Sequence, residues 1–161
     1  MRRTVSALIY PAFYSGTEWL FLLLHRIPMP KLGLCSFWQG ITGAAEGDET
    51  PIQAARRELL EETHITTDKL EPTNYSYRIP MQPEWKEQYY PGTEWTEEYV
   101  FTAILTSRQT PKLSLEHNDW KWCHVDEAIH MLRYADNVEG LRRCNDLVQG
   151  APYGLRQGHS R

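Results

Sequence analysis

Long hydrophobic runs are missing from this chain, and so is any excess of positive charge. The longest apolar stretch, Trp19 to Leu24, is far too short to cross a bilayer, so no membrane association is expected. Seventeen Lys and Arg stand against 21 Asp and Glu, a net charge of −4. That sign does not suit a surface that grips nucleic acid through its phosphates. An acidic chain can still meet a small phosphorylated ligand through a bridging divalent cation. Cysteine is scarce as well. Cys35, Cys123 and Cys144 are odd in number and contain no CxxC pair, which excludes a zinc ribbon and a disulfide framework. They read as small buried hydrophobes in a reducing cytoplasm. The basic start Met1-Arg2-Arg3 meets Pro11 before any small-residue cleavage site, so export is not expected.

What is present is ordinary for a globular protein. Of 161 residues, 41% are apolar and 24% charged, enough for one domain with its own core. That domain is expected over residues 1–150, followed by a flexible tail over 151–161. Thr4 to Tyr10 and Glu18 to Arg26 read as a hairpin whose second strand is covered on both faces. Phe37 to Thr42 reads as one short strand ending at Gly43. Further strands are expected at Asn74–Ile79, Glu98–Leu105 and Trp120–Val125. Asp126 is expected to cap a helix through Leu132, and Asn137 to begin a last helix ending before Gly150. Strands, one internal helix and closing helices describe an α/β or α+β fold.

The clearest helix signal is Thr50-Pro51-Ile52-Gln53, which offers a cap, a proline at the first helical position and a capping-box partner. Ile52, Ala55 and Leu59 follow as its buried stripe. On the same helix Glu58, Glu61 and Glu62 lie at i, i+3 and i+4, so three carboxylates project from one side. Either they are solvated and paired with neighbours such as Arg57, or a hard divalent cation gathers them.

The surrounding spacing narrows that choice. Gly43, five residues, Glu49, seven residues and then Arg57-Glu58-Leu59-Leu60-Glu61-Glu62, with Ile65 beyond, resembles the Nudix hydrolase signature. One position departs: His64 stands where the signature has glycine, a residue suited to a left-handed helix C-cap. The resemblance implies an α/β/α sandwich with a mixed sheet. It also implies hydrolysis of a nucleoside diphosphate linked to another group, with Mg2+ or Mn2+ as cofactor. In that reading Glu58, Glu61 and Glu62 hold metal, the Gly43 carbonyl joins them, Arg57 orients them and Glu49 supports them.

Phe37-Trp38-Gln39-Gly40-Ile41-Thr42-Gly43 and Leu115-Glu116-His117 are similar to the branch of bacterial dihydroneopterin triphosphate pyrophosphatases, earlier described as dATP pyrophosphohydrolases. That similarity implies Glu116 as a fourth carboxylate ligand, and its alternative is an exposed loop acid. Trp38 fits stacking on a heterocycle or a place in the core. Arg26 fits a phosphate contact or a solvated strand end. Of Glu97 and Glu98, one is expected to face the site and the other water. The loop Pro80 to Trp95 suits a lid, a contact in a homodimer, or a segment pinned by its own aromatics. His117, His124 and His130 lack metal-ligand spacing and read as structural or exposed. The resulting expectation is cleavage of a nucleoside or pterin triphosphate to monophosphate and pyrophosphate. The alternatives are a dinucleoside polyphosphate or nucleotide-sugar hydrolase, and a nucleotide-binding module without turnover.

Overall fold

The computed structural model describes residues 1–150, so the expectation for the 151–161 tail falls outside the described residues. Strand β1 (Val5–Tyr14) continues through Pro11 and pairs in parallel with β6 (Trp95–Leu105) and antiparallel with β2 (Trp19–Arg26). β3 (Phe37–Gln39) and β7 (His117–His124) pair with β2, β4 (Ile41–Ala44) with β1, and β5 (Lys69–Pro80) with β6. The sheet is therefore mixed.

The single strand expected over Phe37–Thr42 is two, broken at Gly40. A Cβ built there would lie 2.8 Å from the Tyr10 ring and 2.9 Å from the Ile9 carbonyl, so only glycine lets the chain pass this close. In β5 a bulge between Pro72 and Ser76 places Asn74 at φ 62°.

Alternation along the strands separates two cores. Ala7, Ile9, Leu22, Leu24, Phe101 and Ala103 pack with Ala54, Ala55 and Leu59 of helix α1 (Pro51–Thr63). Leu8, Tyr10, Phe21, Leu23, Val100 and Ile104 pack on the other face with Ala128 of α2 (Val125–Met131) and Leu141, Cys144 and Val148 of α3 (Ala135–Gln149). The doubly covered β2 and the α/β/α sandwich thus follow from one period-two pattern.

Some local expectations need correcting. The Thr50 capping box forms as read, but Ile52 points outward at 38% exposure, and α1 buries Ala54, Glu58 and Glu62 beside Ala55 and Leu59. α2 is capped by His124, whose side chain accepts from the Asp126 amide, because the helix starts one residue before Asp126. Cys123 and Cys144 are buried, whereas Cys35, in the loop leading into β3, is exposed. The 80–95 segment is tied down: Trp85 Nε1 donates to the Leu32 carbonyl (3.2 Å), Tyr89 is buried, and Arg78 stacks 4.2 Å from the Trp95 ring. Among the described residues no helix is long and apolar enough to cross a membrane.

Candidate active site

β1 begins, and β2 ends, at one end of the sheet, and there α1 lies along β4. Gly43 is on β4 directly beneath Glu58: a Cβ on it would fall 2.1 Å from the Glu58 carboxyl carbon. Only glycine permits this approach of backbone to carboxylate. Glu58 is buried, and burial pushes its pKa up to about 7 against the pull of Arg57.

Arg57 uses all five of its N–H donors. Nε and Nη2 clasp Glu49 at 2.8 and 2.9 Å, and Nη1 reaches Glu58 at 2.8 Å and Glu61 at 3.1 Å. Nη2 also donates to the Ala44 carbonyl at 2.9 Å, which ties the helix to β4. Glu49 is drawn down to about 2 by its hydrogen bonds from Arg57 and from the Glu46 amide, so it stays ionised as the anchor for Arg57. The arginine thus bonds three acidic side chains at once.

A further carboxylate meets α1 from a separate element. The turn before β7 is fastened to α1 by two bonds to Glu62: the Ser114 hydroxyl donates to Oε2 (2.7 Å) and the Ser114 amide to the Glu62 carbonyl (3.3 Å). This brings Glu116 beside Glu62, with ligand atoms of Glu62, Glu116 and His117 all within 4.8 Å of one another. Burial raises the pKa of Glu62, but the imidazole of His117 and the Ser114 hydroxyl outweigh it and hold the carboxyl below its usual range. Glu116 is raised by burial and by the neighbouring Glu62. Arg26 at the end of β2 stands 3.8 Å from Glu116 and also donates to the Met29 sulfur. It is one cation beside an excess of carboxylates.

These residues fit a divalent cation. The donors are hard oxygens from two separate elements, Glu62 of α1 and Glu116 of the turn before β7, and Gly43 leaves room for the Glu58 carboxyl against β4. Glu61 is more exposed than Glu58 and Glu62, so the three acids span from buried to solvent-facing along one side of α1.

Other candidates fall elsewhere. Trp38 pairs with His25 on the α2/α3 face, its ring 5.0 Å from that of His25, and packs into the second core. Neither Glu97 nor Glu98 matches the expected split. Glu97 accepts from Ser76 at 2.7 Å, and Glu98 is buried among Ser6, Thr42 and Tyr77. His117 was missed: its side chain is 1% exposed, with Nδ1 3.0 Å from Glu62 Oε2 and Nε2 3.3 Å from the Gln39 amide nitrogen. The signal available in the sequence was its position directly after Glu116, but its partners lie 55 and 78 positions away and only the strand order joins them.

Known proteins show the family. A NUDIX domain is recognised over residues 2–144. The dihydroneopterin triphosphate diphosphatase of Haemophilus influenzae is 32% identical over 126 residues, covering 76% of either chain. The structure of the E. coli dihydroneopterin triphosphate pyrophosphohydrolase superposes with a TM-score of 0.72 at 26% identity, covering 91% of this chain and 97% of that one. A C. elegans Ap4A hydrolase superposes with a TM-score of 0.69 at 25% identity, over 91% and 98% of the two chains. With the signature spacing, the sandwich and the carboxylate cleft in agreement, the chain belongs to the NUDIX hydrolase family.

Proposed function

We propose that this protein is a Mg2+-dependent (or Mn2+-dependent) pyrophosphohydrolase that converts dihydroneopterin triphosphate, or a related nucleoside triphosphate such as dATP, to the monophosphate and pyrophosphate. The observation that carries this reading is the meeting of Glu62 and Glu116, from α1 and from the turn before β7, within 4.8 Å. Two acids brought together from separate elements repel each other when both are ionised, and a divalent cation relieves that repulsion. Glu58, Glu61, Glu62, Glu116 and the Gly43 carbonyl would hold the cation. When bound, it would neutralise charge on the phosphate oxygens and lower the pKa of a coordinated water.

The chain's own residues do the rest. Arg57 keeps Glu49, Glu58 and Glu61 from drifting apart under mutual repulsion. Arg26 stands at the cleft beside Glu116 and can turn to a substrate phosphate. Water adds to the phosphorus, the bridging P–O bond between α and β phosphates breaks, and a carboxylate of the cleft takes the proton from the water. Similarity to the Haemophilus influenzae and E. coli enzymes supports the pterin substrate and hence a step in folate biosynthesis in the cytoplasm. Similarity to the C. elegans Ap4A hydrolase supports a dinucleoside polyphosphate as the second reading.

The test is product release with Mg2+ across dihydroneopterin triphosphate, dATP, other nucleoside triphosphates and a dinucleoside tetraphosphate. Preference for the pterin with pyrophosphate as product supports the first reading. Preference for the dinucleotide replaces it with the second. Binding without turnover of any of them would leave a nucleotide-binding module.

A further inference from the structure

Gln39, His117 and Glu62 form a line of three buried polar side chains running from β3 through the start of β7 to α1. Gln39 faces the α1 side of the sheet because it pairs with Leu24, a residue of the α1 core. Its amide nitrogen lies 3.3 Å from His117 Nε2. Across the ring, the buried Nδ1 lies 3.0 Å from Glu62 Oε2 and, among the described residues, makes no well-directed hydrogen bond. The Ser114 hydroxyl reaches the same Oε2 at 2.7 Å. An amide N–H pointing at Nε2 requires a lone pair there, so the ring proton belongs on Nδ1, where it faces the carboxylate.

We propose that His117 is a positioning residue for divalent-cation binding: Gln39 fixes its tautomer, and the resulting Nδ1–H, with Ser114, clamps the Glu62 carboxylate on one oxygen. The inference rests on the reading of Glu62 as a metal ligand and adds what orients it. Such outer partners fix a ligand's rotamer before the metal arrives, and their loss weakens metal binding by about 10–100-fold. Neither Gln39 nor His117 belongs to the glutamate signature, and the imidazole is supplied by the turn that also carries Glu116. One short segment therefore delivers a ligand and aligns another.

Two measurements on the full chain test this, neither needing turnover. The first is Mn2+ affinity by electron paramagnetic resonance, for wild type, Glu62→Gln, His117→Phe, His117→Asn and Gln39→Met. Glu62→Gln reads the metal assignment itself. If it binds Mn2+ as wild type does, the metal role of Glu62 fails and the relay falls with it. If Glu62→Gln loses binding, the expected pattern is a 10–100-fold loss in His117→Phe and recovery to within about threefold in His117→Asn, whose amide N–H replaces Nδ1–H. Unchanged affinity in His117→Phe overturns the relay while leaving the metal site intact. An Asn variant as weak as the Phe variant overturns positioning in favour of direct coordination or mere packing. The second measurement is the nitrogen NMR spectrum of His117 in wild type with and without Mg2+, which requires no substitution. Protonation at Nδ1 with Nε2 bare, shifting toward Nε2–H in Gln39→Met, is expected. Protonation at Nε2 in wild type overturns the proposal, because the Gln39 amide then presents its oxygen.

Discussion

Two buried carboxyl clusters flank neighbouring residues of β4. Gly43 lies under Glu58 on the α1 face, and Thr42, one residue earlier, donates to Glu98 on the α3 face at 2.6 Å. The two clusters solve the same problem differently. Glu98 receives hydroxyls from Ser6 (3.3 Å), Thr42 and Tyr77, and Tyr77 in turn accepts from Asn137 at 2.9 Å. Burial raises its pKa, which favours the neutral acid. On the α1 face, donors hold Glu62 low and ionised next to Glu58, Glu61 and Glu116. A carboxyl closed in by hydroxyls can brace β1, β4, β5 and α3. An ionised Glu62 crowded by Glu58 and Glu116, whose carboxyl pKa values are raised by burial, is arranged to receive a cation. The comparison teaches that burial alone does not mark function; the balance of donors against charge does.

The largest expected effect breaks this contrast at its charged side. Glu62→Gln should lower turnover by about 10²–10³-fold, and Glu61→Gln should do likewise, while thermal unfolding of the metal-free Glu61→Gln protein stays at the wild-type temperature. Glu61 is the more exposed of the two, so its loss removes repulsion without opening a cavity. Full activity in both variants would remove the carboxylates from the reaction.

Adding the cation is the next sharpest probe. At a hundred times its dissociation constant, Mg2+ or Mn2+ should stabilise wild type by about 2.7 kcal/mol. Glu98→Gln should retain that gain and Glu62→Gln should lose most of it, as read by melting with and without metal. Equal gains in all three proteins would place the cation outside the α1 cleft.

Glu98 gives the comparison a pH signature. Below the ordinary carboxyl pKa of 4.5 both folded and unfolded chains carry the proton, and the buried acid adds no pH dependence. As pH rises past that value the unfolded chain releases its proton first while the fold retains it. Stability then falls until the raised folded-state pKa is passed. Urea midpoints measured from pH 4.5 to 8 should therefore decline in wild type relative to Glu98→Gln. Parallel profiles would mean that Glu98 is ionised in the fold.

The legibility of the two clusters differs for a physical reason. Glu58, Glu61, Glu62, Arg57 and Glu49 are tied by helical spacing and one loop, so their proximity is written in local sequence. Thr50 and Gln53 are legible for the same reason. The doubly covered β2 follows from its nearly continuous apolar run, which the sequence reports directly. Glu98, Tyr77 and Asn137, like Gln39 and His117, come from segments far apart in the chain, and register across the sheet alone makes them neighbours. Ile52 has the helical spacing of the stripe but lies in the first turn of α1, where it stays exposed while Ala54 takes the core. The break at Gly40 is not legible in the sequence because its close approach to Tyr10 is a property of packing, not of composition.

The smallest effect concerns the end of α1, where the signature's glycine is replaced. His64 adopts φ 60° and ψ 14°, and its amide donates to the Leu60 carbonyl at 2.9 Å, closing the helix in a left-handed cap. A side chain with a Cβ is strained there by about 1 kcal/mol, which glycine does not suffer. Two residues separate it from Glu62, and its amide bond to Leu60 does not depend on the side chain. His64→Gly should accordingly raise the melting temperature by about 3 °C and leave Mn2+ affinity unchanged. A loss of affinity would show that the imidazole of His64 contributes to the cleft. Unchanged melting would show that glycine's greater freedom in the unfolded chain offsets the relieved strain, as happens when the two terms are equal in size.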